Sequence, residues 1–379
     1  MKILFVTKFY PPVKGGIERY SHILCTGLRE RGIEVEVVAA ADQDQEPCVE
    51  MVDGIKVHRL AAFASIKRMP LTLGLPRLLA RLARDCDLLH FNFPNPWTEM
   101  VYLAVCGSKD SVVTYHSDIY RQKVFLWLYR PWIHAFLKRT AAIIATSPNY
   151  IESSPFLSRY RDHCRSIVLP VDIKMFTESP QEEILAIKEE FGPFVLFVGR
   201  LVYYKGLEHL IDAMGLLCGI RLVVIGQGEL EGVYRAQAEK LNLGDRVRFL
   251  GRIEDDQMKL FYAACKCFVL PSIYRSEAFG MVLGEAMACG APVISTELGT
   301  GTSYINQDGK TGYVVLPGDP VALAEKINQI CKDDSSRDRL GGAGRARIEQ
   351  GFTKEHMMDR TIALYEEILA RPVAGAGTD

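Results

Sequence analysis

Two glutamates with seven residues between them stand in Ser276-Glu277-Ala278-Phe279-Gly280-Met281-Val282-Leu283-Gly284-Glu285, just after the apolar run Cys267 to Leu270. That order predicts a strand, a loop and a helix whose start takes in Phe279, Gly280, Met281 and Val282. A carboxylate ahead of a helix start accepts hydrogen bonds from sugar hydroxyls while the unpaired first-turn N–H groups hold phosphate oxygens. A second carboxylate farther along the helix can accept from a ribose. Either glutamate taken alone reads more simply, Glu277 as an N-terminal helix carboxylate and Glu285 as a solvated helix residue.

A second group of polar residues follows the apolar run Phe194 to Val198. Gly199-Arg200-Leu201 leads to Lys205-Gly206, which opens a helix. Two cations five residues apart on one loop can grip a diphosphate from two sides, and glycine lets backbone approach it. Two exposed basic residues on a loop are the alternative. Gly226-Gln227-Gly228 after the next strand is a similar turn. Asp42-Gln43-Asp44 and Asp85-Cys86-Asp87 share the spacing of metal-nucleotide sites, but one lies in an acidic loop and the other leads into a strand, so neither is read as a metal site. The ten cysteines form no Cys-x-x-Cys pair and read as reduced, mostly buried thiols.

The elements that must position these residues repeat. A buried strand (Lys2 to Thr7), a glycine-bearing loop (Lys8 to Gly16), a helix with Ile17, Tyr20, Leu24 and Leu28 on one side, and a strand (Val35 to Ala40) make a first unit. Phe194 to Val198, Gly199 to Gly206, a helix through Leu207, Leu210, Ile211 and Met214, and the strand Arg221 to Ile225 make a second. Leu88 to Phe93, Ser111 to Tyr115, Ala142 to Ala145, Arg246 to Leu250, Cys267 to Leu270 and Pro292 to Ser295 supply further strands. Strands alternating with helices predict an α/β protein of two doubly wound, Rossmann-like domains. With 379 residues, 48% of them hydrophobic, there is sequence enough for two cores. The boundaries fall at 1–170 and 171–352, and a terminal helix near 353–369 is expected to pack back on the first domain. Two such domains facing one another place their loops across one cleft.

Charge is unevenly shared. Residues 1–170 carry a net +6 and the remainder −7. Gly54 to Arg84 holds Lys56, Arg59, Lys67, Arg68, Arg77, Arg81 and Arg84 with no acid, and reads as a membrane-surface helix or as a core helix with a solvated basic face. Val124 to Ala145 is interrupted by Arg130, Pro131, His134, Lys138 and Arg139 and does not supply the roughly 20 apolar residues of a spanning helix. The four-residue apolar run near Met1 is too short for a signal-peptide core, and a cytoplasmic protein is expected.

Glu277 and Glu285, within Ser-Glu-Ala-Phe-Gly-Met-Val-Leu-Gly-Glu-Ala-Met-Ala-Cys-Gly-Ala-Pro, resemble the signature of glycosyltransferase family 4, the retaining nucleotide-sugar transferases of GT-B fold. Gly199-Arg200-Leu201 with Lys205-Gly206, Leu169-Pro170-Val171-Asp172 with Phe176, and Pro11-Pro12-Val13-Lys14-Gly15-Gly16-Ile17-Glu18 resemble three more segments of that family. The resemblance implies that Arg200 and Lys205 bind the donor diphosphate and that Glu285 holds the ribose. It gives the hydroxyls of the transferred sugar to Glu277, and sugar and phosphate to the N–H groups of Phe279, Gly280, Met281 and Val282. Gly15, Gly16 and Gly226 line the donor, and His116, in Thr114-Tyr115-His116-Ser117-Asp118, stands beside the sugar's reacting face. A lone histidine at a strand end is otherwise a structural residue.

Finer strings, Tyr115-His116-Ser117-Asp118-Ile119, Ala145-Thr146-Ser147-Pro148-Asn149-Tyr150 and Gly299-Thr300-Gly301-Thr302-Ser303-Tyr304, resemble bacterial polysaccharide mannosyltransferases. They imply GDP-mannose as donor, a saccharide on polyprenyl diphosphate as acceptor, no cofactor and no required metal, and no nucleic-acid partner. The enzyme is then expected on the inner face of the cytoplasmic membrane, held peripherally by its anionic surface. Related transferases using UDP-sugars, a GT-B-fold sugar-nucleotide epimerase and a non-catalytic nucleotide-sugar-binding subunit are the alternatives. A dehydrogenase is disfavoured because neither glycine loop completes Gly-x-Gly-x-x-Gly with a ribose-binding acid.

Overall fold

Buried strands alternating with amphipathic helices build two units in the computed structural model, which describes residues 1–13, 15–42, 46–66, 69–119, 123–177 and 180–371. Unit 1 takes in Met1–Thr146, Ile151–Val168 and the chain from Lys354; unit 2 takes in Ser147–Tyr150 and Leu169–Thr353.

In unit 1 the strands Lys2–Val6, Leu88–Phe93, Ser111–Tyr115 and Ala142–Ala145 are almost wholly buried, as strands covered on both faces must be. They belong to an eight-stranded sheet. Its order is Cys164–Ser166, Ala142–Ala145, Ser111–Tyr115, Leu88–Phe93, Lys2–Val6, Glu34–Ala40, Ile55–Leu60 and, antiparallel at the edge, Cys48–Val52. The terminal helix Lys354–Leu369 packs on the helix Gly16–Glu30 through buried Met357, Met358 and Tyr365. A side chain at Gly27 would stand 2.6 Å from Met358 Sδ, so glycine there permits the approach. Lys354 pairs with Glu30 at 2.6 Å and Arg31 with Asp359 at 2.7 Å along the same seam.

Unit 2 is a six-stranded parallel sheet in the order Val247–Gly251, Arg221–Ile225, Phe194–Val198, Cys267–Leu270, Val293–Thr296 and Gly312–Val315. Its core joins Val195, Phe197 and Val224 of the sheet to Leu210, Ile211 and Met214 of the helix Leu207–Gly215. In each unit the first strand lies where the strand order reverses. Ligands of open α/β sheets bind beyond the carboxyl ends of the strands at that point. The loops after Phe194–Val198 and Cys267–Leu270, which carry Arg200, Lys205 and Glu277, flank it in unit 2.

Two sequence expectations shift by one residue: the strands read as Arg246 to Leu250 and Pro292 to Ser295 are Val247–Gly251 and Val293–Thr296. The acid-free stretch departs further from its reading. It is not one helix: Ile55–Leu60 is a sheet strand, Ala64–Ile66 pairs with Met69–Leu71, and only Leu75–Leu82 is helical. Lys56 lies 3.7 Å from Glu36, and buried Arg59 pairs with Glu50 on the neighbouring strand. Those partners come from other strands, which is why local sequence could not reveal that the two cations serve the sheet. Arg77, Arg81 and Arg84 are exposed, whereas Lys67 and Arg68 lie outside the described residues. Among the described residues no helix is long and apolar enough to cross a membrane.

Candidate active site

The phosphate-loop candidate and the sugar-binding candidate of unit 2 meet directly. After Phe194–Val198 the chain makes a short turn, Tyr203–Lys205, and Gly206, at φ 64°, caps the next helix. Glycine is required there, since a Cβ would stand 2.2 Å from Pro271 O. This close approach sets Lys205 against the loop after Cys267–Leu270, where its Nζ lies 2.5 Å from Glu277 Oε2. Ser272 Oγ donates to the same carboxylate oxygen at 3.1 Å, and both charged side chains are about nine-tenths buried. Arg200 is exposed and donates to Tyr204 OH at 3.2 Å. One cation is therefore held inside the site by a carboxylate, and the other lies exposed on its surface against Tyr204.

The Glu277 loop is braced from behind by the Gly299-Thr300-Gly301 turn. Thr300 Oγ1 donates to Glu277 O at 2.8 Å and Gly301 N–H to Ala278 O at 2.8 Å. A Cβ on Gly301 would stand 2.8 Å from Phe279 Cα. The string first noted as a subgroup marker thus has a packing role.

The helix begins later than the sequence suggests. It runs Met281–Ala288 with Gly280 as a left-handed cap at φ 77°, so Phe279 precedes it and is buried. Met281 and Val282 occupy the first turn, where N–H groups lack helical partners. Leu283 N–H is already bonded to Gly280 O at 2.8 Å. Glu285 is not a solvated residue: it is about nine-tenths buried and accepts from Tyr262 OH at 3.1 Å.

Gly226 has a structural reason to be glycine. At φ 134° its Cβ would fall 1.9 Å from Gly199 O, and one on Gly228 would fall 2.3 Å from Leu201 O. The two glycine loops are stacked backbone on backbone, so the turn after Arg221–Ile225 supports the loop that carries Arg200.

His116, Gly15 and Gly16 belong to unit 1. His116 follows the strand Ser111–Tyr115, is 8% exposed, and has its Nε2 2.8 Å from Asn92 Oδ1. Burial pushes its pKa down to about 3, so the ring is neutral. A Tyr20 ring stands edge-on to it with centroids 5.0 Å apart. Gly16 opens the helix Gly16–Glu30 with open space where a Cβ would be, whereas one on Gly15 would strike the Glu18 carboxylate. Asp87 Oδ2 accepts from Lys2 N–H at 2.7 Å and ties down the start of the first strand. Asp44 and Lys14 lie outside the described residues.

A glycine loop, a buried lysine–glutamate pair beside a helix start and a buried glutamate on that helix lie together in unit 2. The family described as "Glycosyl transferases group 1" matches residues 180–347, and "Glycosyltransferase Family 4" matches residues 14–153. The chain is 35% identical over 372 residues to O-antigen chain mannosyltransferase C of Escherichia coli, covering 97% of this chain and 99% of that one. The chain belongs to glycosyltransferase family 4. It is also 37% identical over 355 residues to the D-rhamnosyltransferase WbpZ of Pseudomonas aeruginosa, covering 93% and 92%. Among solved structures, the sucrose-phosphate synthase of Thermosynechococcus elongatus superposes with a TM-score of 0.79 at 25% identity, over 97% of this chain and 99% of that one. The protein is a glycosyltransferase built from the two Rossmann-like units of the GT-B fold.

Sequence reasoning missed Ser272, Tyr262, Asn92 and Thr300, each of which holds a site residue. Ser272 stands in the same loop as Glu277, and Thr300 in the string Gly299 to Tyr304 that the sequence singled out; those were the available signals. Asn92 and Tyr262 reach their partners only through packing.

Proposed function

We propose that this glycosyltransferase transfers mannose from GDP-mannose, with retention at the anomeric carbon, to a saccharide carried on polyprenyl diphosphate. The observation that carries the reading is the likeness, along nearly the whole chain, to the Escherichia coli O-antigen chain mannosyltransferase. Arg200 and Lys205 meet the charge that grows on the diphosphate as the bond from sugar carbon to phosphate oxygen breaks, a task that a divalent ion performs elsewhere. The acceptor oxygen bonds to the same face of the sugar, and its proton passes to the departing phosphate oxygen. Glu277, released from Lys205 when the diphosphate arrives, accepts from sugar hydroxyls. Glu285 accepts from the ribose.

The acceptor's lipid stays in the membrane, and the exposed side of the helix Lys123–Arg139 suits that surface. Trp127, Leu128 and Trp132 are exposed there with Arg130, Lys138 and Arg139. Phe136 of the same helix faces inward and is fully buried in the core. Arg121 lies outside the described residues, as do the side chains of Lys123 and Phe125. Apolar rings flanked by cations favour reversible attachment to anionic lipid at the inner face of the cytoplasmic membrane.

A donor panel tests the reading, with GDP, UDP and their sugars followed by calorimetry and turnover, and a chelator present in a parallel series. The expected result is GDP-mannose turnover that survives EDTA and falls roughly 100-fold in kcat/KM for Arg200→Ala. UDP-sugar turnover in place of GDP-mannose turnover overturns the donor, and activity restored only by Mn²⁺ or Mg²⁺ overturns the metal-free step. A second reading, transfer of D-rhamnose, is favoured by the likeness to the Pseudomonas aeruginosa enzyme. That sugar is mannose without its 6-hydroxyl, and GDP-D-rhamnose belongs in the same panel.

A further inference from the structure

The hydrogen bonds around His116 determine which of its nitrogens carries the proton. Ser21 Oγ donates to Ile17 O at 2.7 Å, one turn back in its own helix. A carbonyl oxygen only accepts, so the single hydroxyl proton of Ser21 is committed and its Oγ offers lone pairs to every other neighbour. The Asn92 amide, 2.7 Å away, must then present its NH2 group, and the same Nδ2 reaches Thr7 Oγ1 at 3.0 Å. This fixes the orientation of an amide whose oxygen and nitrogen are otherwise interchangeable. Asn92 Oδ1 is left facing His116 Nε2 at 2.8 Å, and because that oxygen cannot donate, Nε2 must. In a neutral ring the proton on Nε2 leaves a lone pair on Nδ1.

We propose that Asn92, anchored by Ser21 and Thr7, is a positioning residue that locks His116 as the neutral Nε2–H tautomer, so that Nδ1 is an uncharged acceptor for a hydroxyl of the transferred sugar. The role of Nδ1 rests on the reading of His116 as a residue beside that sugar; the lock itself does not. The chemistry explains why residue 92 is an amide. The anomeric carbon gains positive charge in an oxocarbenium-like transition state. An imidazolium beside it would oppose that charge, and a carboxylate at position 92 would favour the imidazolium. The histidine and the phenol beside the ring add no such charge. His90 is held neutral by burial, with its own pKa near 3, and Tyr20 presents a ring edge. Asp118 is engaged by the hydroxyls of Tyr115 and Ser154, each at 2.7 Å.

Long-range ¹⁵N–¹H correlation on full-length protein labelled at histidine nitrogen reads the tautomer, with the His116 signals identified by their loss in His116→Gln. The expected wild-type pattern is a protonated Nε2 and a bare Nδ1, unchanged between about pH 5 and pH 9. In Asn92→Asp, His116 is expected to titrate inside that range, and kcat should gain an acid limb, falling about tenfold per pH unit below the new pKa while KM for the donor changes less than about twofold. Asn92→Ala should show both tautomers and a kcat about tenfold lower without an acid limb. A wild-type Nδ1–H or imidazolium signal overturns the lock, as does an Asn92→Asp profile that stays flat. If Asn92→Asp does not fold, the Asn92→Ala spectrum decides, and a single Nε2–H tautomer there overturns the proposal. The wild-type spectrum requires no substrate, so its failure is distinct from failure of the donor panel. Wild-type turnover by His116→Ala removes Nδ1 from the sugar.

Discussion

Replacing Lys205 with Met removes a cation that lies 2.5 Å from Glu277 and leaves the carboxylate about nine-tenths buried, with the Ser272 hydroxyl still donating to it at 3.1 Å. Breaking one side of a buried pair costs about 3–5 kcal/mol, because the surviving charge has lost both water and its partner. The Ser272 bond persists, so the lower end, about 3 kcal/mol, is expected. For a unit of this size that corresponds to a fall of about 6–12 °C in melting temperature. Glu277→Gln keeps an acceptor oxygen toward both Lys205 and Ser272, and its cost should be nearer 1 kcal/mol. In Lys205→Met with Glu277→Gln no charge is stranded, and the double variant should be more stable than the sum of the singles by about 2 kcal/mol. Calorimetric and denaturant unfolding of the four proteins measure this cycle. GDP enters the same argument: its diphosphate offers Lys205 a new partner, so GDP should raise the melting temperature of the wild type more than that of Lys205→Met. Strict additivity, or a Lys205→Met protein that melts with the wild type, would refute the idea that these residues form a buried switchable pair.

Glu285→Ala should weaken GDP binding about tenfold through the ribose, whereas Tyr262→Phe, which removes only the hydroxyl that Glu285 accepts, should cost about 1 kcal/mol of stability and leave GDP affinity nearly unchanged by calorimetry. Gly226→Ala should disrupt the loop stack, because the new methyl falls 1.9 Å from Gly199 O. Loss of donor binding with a lowered melting temperature is expected, and a normal protein would contradict the geometry. His116 and His90, both neutral when folded with pKa near 3, bind protons only after unfolding as pH drops below about 6.5. Unit 1 should therefore lose stability between about pH 6.5 and 3, by up to about 1.4 kcal/mol per pH unit for each ring, and equilibrium unfolding with His90→Gln as reference checks the sign. Anionic vesicles should sediment the protein at low salt, and Trp127→Ser with Trp132→Ser should abolish this while GDP-mannose binding persists; a wild type that ignores such vesicles would point to a water-soluble acceptor.

Much of this enzyme was legible along the chain because its signals are local. A strand buried on both faces reads as an unbroken apolar run, as Phe194–Val198 and Ala142–Ala145 do, and a loop that lets backbone approach backbone must carry glycine, as at Gly206 and Gly226. The spacing of Glu277 and Glu285 and the basic pair Arg200 and Lys205 could be read for the same reason. The tertiary structure alone decided which charges meet. Lys205 finds Glu277 from seventy-two residues away, Arg59 spends its charge inside the sheet on Glu50, and Glu285, polar by type, is buried against Tyr262. It alone fixed the proton on His116, through Ile17, Ser21 and Asn92, which belong to a helix and a strand that are distant in sequence. The physical reason is the range of the forces. Hydrophobic periodicity and backbone sterics act within a few residues, whereas desolvation and hydrogen-bond partnership depend on which distant segments the fold brings within about 3 Å.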